Sequence, residues 1–425
     1  MRVIWRCLYQ LLWLLLLPFV MAWLLWRGRL PWRRLLEYLG GGEAVAGEPL
    51  WLHAASVGEI NAIVPLLHAL RRDWPQLPLL VTTTSVTGAA RVAALKIDGL
   101  HHRFMPLDQC WVVRCFLRRH RPRLVLLTEM ELWPEWLMQL GQQQTPVWLI
   151  NGRLSRRSAR GYRRIVGLLR PSLAQLDGAL MQSRAAAKRL ALLGAQAPKT
   201  VGNLKFDLNP DAQIAQAAAR LRQQWGERPV WLAASTHEDE EQQLLAVHRQ
   251  LLANWPTLLL VIMPRHPQRF ERVASLCQEA GMTLARRSGQ QPVTAETTLY
   301  LADSMGEALL LMASVDLVVM GGTFIAHGGQ NPLEPAALGK PVLLGPSTYN
   351  FAEAVPLLLA AGAAQQVSST AALQEAVAEL LTDAAKRQQM GQKALEVMAE
   401  NRGALARTLN ALTPVLNRVC GQDLE

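Results

Sequence analysis

Short apolar runs alternate with helical stretches along most of this chain, and the alternation begins twice. The first series has strand candidates at 50–54, 77–82, 124–127 and 147–150, with helical stretches such as 62–72 and 88–95 between them. The second starts at 229–233 and continues through 258–263, 317–320 and 341–344. Strands separated by helices pair in parallel, because each crossover helix carries the chain back to the end of the sheet from which it started. Two such series predict two doubly wound halves, with a break near 202–211. A length of 425 residues suits this division. Ligands of open α/β sheets bind beyond the carboxyl ends of the strands, which puts the expected site in a cleft between the halves. No Gly-x-Gly-x-x-Gly follows the first strand of either half, which argues against a dinucleotide cofactor.

Ahead of the first strand, the segment from Cys7 to Trp26 is nearly continuous apolar sequence and includes Leu14, Leu15, Leu16 and Leu17. Twenty helical residues cover roughly 30 Å, one bilayer core. The run ends in Trp26-Arg27-Gly28-Arg29 instead of a small-residue cleavage site, which favours a retained anchor over a signal peptide. Arg2, Arg6, Arg27, Arg29, Arg33 and Arg34 flank it, with no acidic residue among the first 34 positions. More arginines follow the run than precede it, so the positive-inside rule places the rest of the chain on the cytoplasmic side. Whether the segment spans the bilayer or lies in one leaflet stays open at this level.

The charge balance, 44 basic against 33 acidic residues for a net +11, calls for anionic partners. Arg114, Arg118, Arg119, Arg121 and Arg123 form one basic run. A second extends from Arg153 through Arg156, Arg157, Arg160, Arg163 and Arg164 to Arg170 without an acid. Basic residues near an anionic lipid surface are worth about 1 kcal/mol each. Nucleic acid is disfavoured, because the aromatic platforms used for single strands are not laid out among the arginines, where only Phe116 and Tyr162 are aromatic. The five cysteines make no Cys-x-x-Cys pair and fit a reducing compartment. His-Glu-x-x-His, Asp-x-Asp and Gly-x-Ser-x-Gly are absent, and His101-His102 is expected to be a surface pair.

A hydroxyl or amide residue followed three positions later by Glu recurs at the strand ends: Ser56/Glu59, Thr128/Glu131, Ser235/Glu238, Ser304/Glu307 and Asn331/Glu334. Each has the form of a capping box, and five helix N-termini around one cleft would suit a phosphate. Glu59, beside Gly58 and just past a strand, is the best candidate for a general base, although a capping role would occupy part of its carboxylate. One of Glu129 and Glu131 is expected to face the cleft while the other caps. Lys205 lies at the break between the halves, where it can neutralise a leaving phosphate. Arg265 follows an apolar strand, and arginine's planar fork suits phosphate or a base edge. Two glycine pairs, Gly321-Gly322 and Gly328-Gly329, let a ligand lie against backbone, and Glu334 can accept hydrogen bonds from a ribose diol.

With these segments assembled, the chain resembles the bacterial 3-deoxy-D-manno-octulosonic acid (Kdo) transferases. The matching pieces are residues 55–59, 129–134, 151–155, 204–207, 235–238, 264–267 and 329–334, in the family's order. The resemblance implies an α/β chain of GT-B type: two Rossmann-like doubly wound domains facing a cleft, with an N-terminal membrane-anchor helix. It divides the chain into an anchor (1–35), an acceptor-binding domain (36–204), a CMP-sugar-binding domain (205–395) and a C-terminal helical segment (396–425) that packs back on the first domain. It implies inverting transfer of Kdo from CMP-Kdo to the glucosamine disaccharide of a lipid A precursor, with no metal or other cofactor. Glu59 corresponds to the base that takes the acceptor proton, and Glu129 and Lys205 to the groups that stabilise the transition state. Pro264, Arg265, Met305, Gly306, Glu307, Asn331, Pro332, Leu333 and Glu334 correspond to the CMP site. The expected partners are the lipid A precursor, the anionic inner-leaflet surface and the CMP-sugar, with no obligate protein partner. The family usually has Gly where Asp239 stands, often His where Gln330 stands, and Asn where Glu135 stands. A UDP-sugar enzyme of the same fold and a non-catalytic anchored binding protein are the rival readings.

Overall fold

The computed structural model describes residues 2–28 and 32–421, so Arg29 lies outside the described residues, as do the side chains of Arg2, Arg27 and Arg33. The described residues form two compact units. One runs to Asp207 and resumes at Arg402; the other is Leu208–Asn401.

The first unit is built on β1 (Leu50–His53), β2 (Leu79–Thr83), β3 (Leu100–Phe104), β4 (Leu124–Thr128), β5 (Val147–Gly152), β6 (Gly178–Met181) and β7 (Lys199–Thr200). They make a parallel sheet in the order β3-β2-β1-β4-β5-β6-β7. The second unit repeats the scheme with β8 (Val230–Thr236), β9 (Leu259–Pro264), β10 (Leu284–Arg286), β11 (Leu299–Leu301), β12 (Leu317–Met320), β13 (Val342–Leu344) and β14 (Ala364–Gln366). Its order is β10-β11-β9-β8-β12-β13-β14, again parallel.

Strands β1, β4, β8, β9 and β12 are the apolar runs of the sequence. They are almost entirely buried because helices cover both faces of a parallel sheet. Trp51 shows how a large side chain is accommodated there: its ring packs against Phe116 and Trp136, and its indole N–H donates to Thr82 Oγ1 at 2.8 Å. The edge strand β3 reads Leu-His-His-Arg-Phe and is only partly buried, so no apolar run marks it. It also corrects the expectation for His101-His102. His101 is exposed, but His102 is half-buried in the strand between Arg34 Nη2 (2.8 Å) and Thr83 Oγ1 (2.9 Å). Burial, with the charges of Arg34 and Arg103, lowers the His102 pKa to about 3 and keeps the ring neutral.

The chain crosses into the second unit after Asp207 and returns at Arg402, and Asp207 clasps the returning segment. Its carboxylate accepts the backbone N–H of Gly403 (2.6 Å) and of Leu405 (2.6 Å) at the start of helix Ala404–Cys420. That helix then buries Ala404, Leu412, Val415 and Leu416 against the β1 side of the first sheet. Replacing Asp207 by Ala removes a charged acceptor from two partly buried N–H groups. Stability is expected to fall by about 1.5–3 kcal/mol, measured by chemical denaturation, whereas Asp207→Asn retains part of the cap and loses less.

Candidate active site

Strands β1 and β4 are neighbours, but β1 leads on to β2 and β4 leads on to β5 on the opposite side. The crevice beyond their carboxyl ends is the switch point of the first sheet. Ser56 leaves β1 in extended conformation and caps helix Val57–Asp73, accepting the Glu59 backbone N–H at 3.3 Å. Glu59 closes the capping box: Oε1 accepts the Ser56 hydroxyl (2.9 Å) and Oε2 accepts the Ala55 backbone N–H (2.9 Å). The Thr128 hydroxyl, at the end of β4, donates to the same Oε2 at 2.8 Å. A carboxylate offers about four acceptor positions. Three donors occupy it here, two of them on Oε2, so the remaining position is on Oε1. Burial, together with the neighbouring charge of Glu129, raises the Glu59 pKa above the ordinary glutamate value, against the Thr128 and Ala55 hydrogen bonds.

Glu129 turns out of β4 with φ +49, and its backbone N–H donates to Ile150 O at 3.1 Å. Its Oε1 accepts Lys205 Nζ at 2.8 Å, with both side chains about four-fifths buried (21% and 17% exposed). Lys205 is held from two sides: Asn151 Oδ1, at the end of β5, accepts the Leu204 N–H (3.0 Å), and Asn203 Oδ1 accepts the Lys205 N–H (3.0 Å). Glu131 goes elsewhere. It accepts Trp133 Nε1 (2.9 Å) and lies 3.4 Å from His53 Nε2. Burial pushes its pKa upward, but the His53 and Trp133 contacts outweigh this and hold it below the ordinary value. Of the two acids, Glu129 pairs with Lys205 and Glu131 with His53.

In the second unit the switch point lies between β8 and β12. Pro264 closes β9, and the Arg265 backbone N–H donates to Thr236 O at 3.0 Å. The Arg265 side chain is half-buried, and among the described residues no ion pair engages it. Arg269 is committed instead to the buried Glu241 through both guanidinium arms. Glu240 gathers three backbone N–H groups, from His237 (3.0 Å), Gly322 (2.7 Å) and Phe324 (3.1 Å), and so ties the ends of β8 and β12 together. Its pKa is raised by burial against those three bonds. His237 packs on His327 with ring centroids 4.0 Å apart and contacts Gln330 at 2.9 Å. Burial and the neighbouring basic side chains lower its pKa to about 4. Met305 is 60% exposed, Gly306 follows at φ +86, and Glu307 is paired with Arg287 at 2.6 Å. Asn331 Oδ1 accepts the Leu333 N–H (3.2 Å) while its amide donates to Glu334 Oε1 (3.1 Å).

One of the five expected capping boxes therefore takes that form, Ser56/Glu59. Asn331 and Glu334 meet side chain to side chain, and the five-residue helix there has Pro332 at its N-cap and no side-chain cap. The Thr128 hydroxyl lies 2.8 Å from both Glu59 Oε2 and His53 O, two acceptors for its single proton, and the next helix starts at Pro134 without a side-chain cap. Glu238 is exposed; Glu240 does the work expected of it. Ser304 does donate to Glu307, but Glu307 is spent on Arg287 and caps no helix N–H. Asp239 adopts φ +70, the conformation glycine takes most easily.

The fold and the paired switch points define a protein of the GT-B type. UDP-GlcNAc 2-epimerase from Neisseria meningitidis, solved with UDP-GlcNAc, has this fold with a TM-score of 0.54 and 15% identity over 86% of this chain and 100% of its own. The sequence profile of 3-deoxy-D-manno-octulosonic-acid transferase (kdotransferase) matches residues 30–208. The 3-deoxy-D-manno-octulosonic acid transferase of Haemophilus influenzae is 38% identical over 97% of this chain and 99% of its own, and that of Bordetella pertussis is 37% identical over 86% of each. The chain belongs to the Kdo transferase family.

Gly321 ends β12 where a Cβ would stand 2.3 Å from Ser235 O, a backbone atom that cannot swing away. Gly321→Ala is expected to cost about 1–3 kcal/mol through overpacking. Thermal unfolding of the second unit should report it, while Gly161→Ala, with open space around it, should leave the transition in place.

Proposed function

We propose that the chain transfers Kdo from CMP-Kdo to a hydroxyl on the glucosamine disaccharide of a lipid A precursor, with inversion at the anomeric carbon. The observation that carries this reading is the carboxylate pair at the first switch point. Glu59 has a raised pKa and an acceptor position left on Oε1, next to a Glu129 already neutralised by Lys205. Glu59 takes the proton of the acceptor hydroxyl. The acceptor oxygen bonds to the anomeric carbon as the bond from that carbon to the phosphate oxygen breaks, and the electron pair leaves with CMP. Positive charge grows on the sugar and negative charge on the leaving phosphate. Glu129 offsets the first, and Lys205 beside it the second.

In this reading Pro264, Arg265, Met305, Gly306, Glu307, Asn331, Pro332, Leu333 and Glu334 hold the CMP group, with Arg265 as the cation that no acid of its own unit consumes. The cations the leaving group needs are side chains, so the reaction is written without a metal. The exposed arginines Arg156, Arg157, Arg160, Arg163 and Arg164 meet the phosphates of the acceptor and of its leaflet. The N-terminal helix attaches the protein to the inner membrane with both units on the cytoplasmic side. A UDP-sugar donor is the alternative, and competition by CMP against UDP separates the two.

Transfer of Kdo to a tetraacyl lipid A precursor in detergent, with CMP-Kdo regenerated, tests the reading. Glu59→Gln is expected to lose about 10²–10⁴-fold in turnover while still binding CMP. Equal turnover of variant and wild type would move the base elsewhere. The base works as a carboxylate, so activity should fall as pH drops through the raised Glu59 pKa, at a higher pH than an ordinary glutamate would give. Thr128→Val removes a hydrogen bond that favours the charged form, and should move this acid limb to still higher pH.

A further inference from the structure

Helix Arg2–Gly28 is, among the described residues, the one long and apolar enough to cross a membrane. It is nevertheless docked along its length on the first unit. Near its start, Arg6 makes a two-armed ion pair with Glu135 (2.6 and 3.0 Å), Tyr9 donates to Asp108 Oδ2 (2.6 Å), and Gln10 accepts the Cys110 backbone N–H (2.8 Å). Asp108 and Glu135 are both fully buried. Further along, Trp13, Leu17, Val20 and Met21 pack on the core of the unit, and Leu24 is part of that core. The spacing of these positions, in steps of three and four, is one face of a single helix. From Arg6 to Leu24 that face runs about 27 Å at about 1.5 Å per residue. The opposite face carries no charge and is open: Ile4, Leu8, Leu11, Leu15 and Phe19 are between 53% and 72% exposed.

A helix that crosses a bilayer holds its two ends on opposite sides of a hydrocarbon layer roughly 30 Å thick. Here both ends touch the same folded unit. Drawing the first half across would strip Arg6 and Tyr9 from two buried carboxylates and carry an arginine into hydrocarbon, and each of these steps is costly. The helix also sits beside the basic surface. The Trp5 ring lies against Gly167, where a Cβ would come within 2.7 Å of its Nε1. Gly167 belongs to helix Val166–Leu173, which directly follows the arginine-rich helix Arg156–Arg164 with its exposed guanidinium groups.

We propose that helix Arg2–Gly28 lies in the plane of a single leaflet and does not cross the membrane. Its open apolar face sinks among the acyl chains, its polar stripe stays on the first unit, and the neighbouring arginines meet anionic lipid phosphates. Helices of this kind bury their apolar face roughly 5–10 Å into the boundary between headgroups and acyl chains. The inference rests on the membrane attachment proposed above.

The test uses the full-length protein, tagged at both ends, in sealed vesicles of phosphatidylethanolamine and phosphatidylglycerol. Flotation with the vesicles reports attachment; its absence would overturn both the attachment and this inference, and leave the transfer assay in detergent as an independent check of the reaction. For floated protein, protease added outside should remove both tags together or neither, in each orientation of insertion. Loss of one tag with full protection of the other would place the ends on opposite sides and overturn the proposal. A second measurement needs no intact sidedness. Spin labels at Ile4, Leu8, Leu15, Phe19 and Trp26, one at a time in a cysteine-free chain that retains Kdo transfer, should show one shallow depth throughout. A depth that passes through the bilayer centre near Leu15 and returns at both ends would sink it.

Discussion

Parallel strands β1 and β4 lie side by side, yet the chain leaves them in opposite directions, so no crossover helix closes the gap beyond their carboxyl ends. That reversal is the constraint on which the first unit's chemistry depends. It lets the helix that starts at Ser56 and the turn that starts at Glu129 approach the same crevice. A threonine at the end of one strand can then hold a glutamate delivered by the other. The conformation at Glu129, left-handed and uncommon for a residue with a side chain, follows from the same geometry. The chain must turn sharply out of β4 while its N–H still satisfies β5.

Three acids meet there and are kept apart electrostatically. Glu131 is lowered by hydrogen bonds from His53 and Trp133, Glu129 is paired with Lys205, and Glu59 is left with the raised pKa. Environments that push neighbouring carboxyl groups in different directions are the usual means of giving chemically identical residues different tasks. The second unit uses its acids differently. Glu240, Glu241 and Glu307 are committed to backbone N–H groups or to arginines, and among the described residues no ion pair engages Arg265 after β9.

The N-terminal helix is tied to this arrangement through helix Pro134–Gln142. Asp108 accepts the backbone N–H groups of Glu135 and Trp136, so the carboxylate that receives Tyr9 also starts the helix after Glu131. Burial raises the Asp108 pKa to about 7, against those hydrogen bonds. The buried Glu135 is matched by Arg6 on the apolar helix. A charge buried at one end of the contact is thus answered from the other.

Local pattern made much of this legible. The buried strands announce themselves as apolar runs because both faces of a parallel sheet are covered, and the Ser56/Glu59 box is a spacing rule within one helical turn. The edge strands β3, β10 and β14 were silent, since half-buried strands need no continuous apolar run. Glu240 was hidden inside an acidic run, because its partners Gly322 and Phe324 lie more than eighty positions away. Asn151 was visible as part of a motif but not as the residue that seats Lys205. What the chain's own order of residues determined is the two-fold alternation, the apolar N-terminal helix and the candidate acids at strand ends, all properties of neighbours along the backbone. What tertiary structure alone decided is which acid meets Lys205, which donor holds Glu59, and that the apolar helix is docked at both ends. Those outcomes depend on strand order and on contacts between distant segments, and neither is encoded in any local spacing.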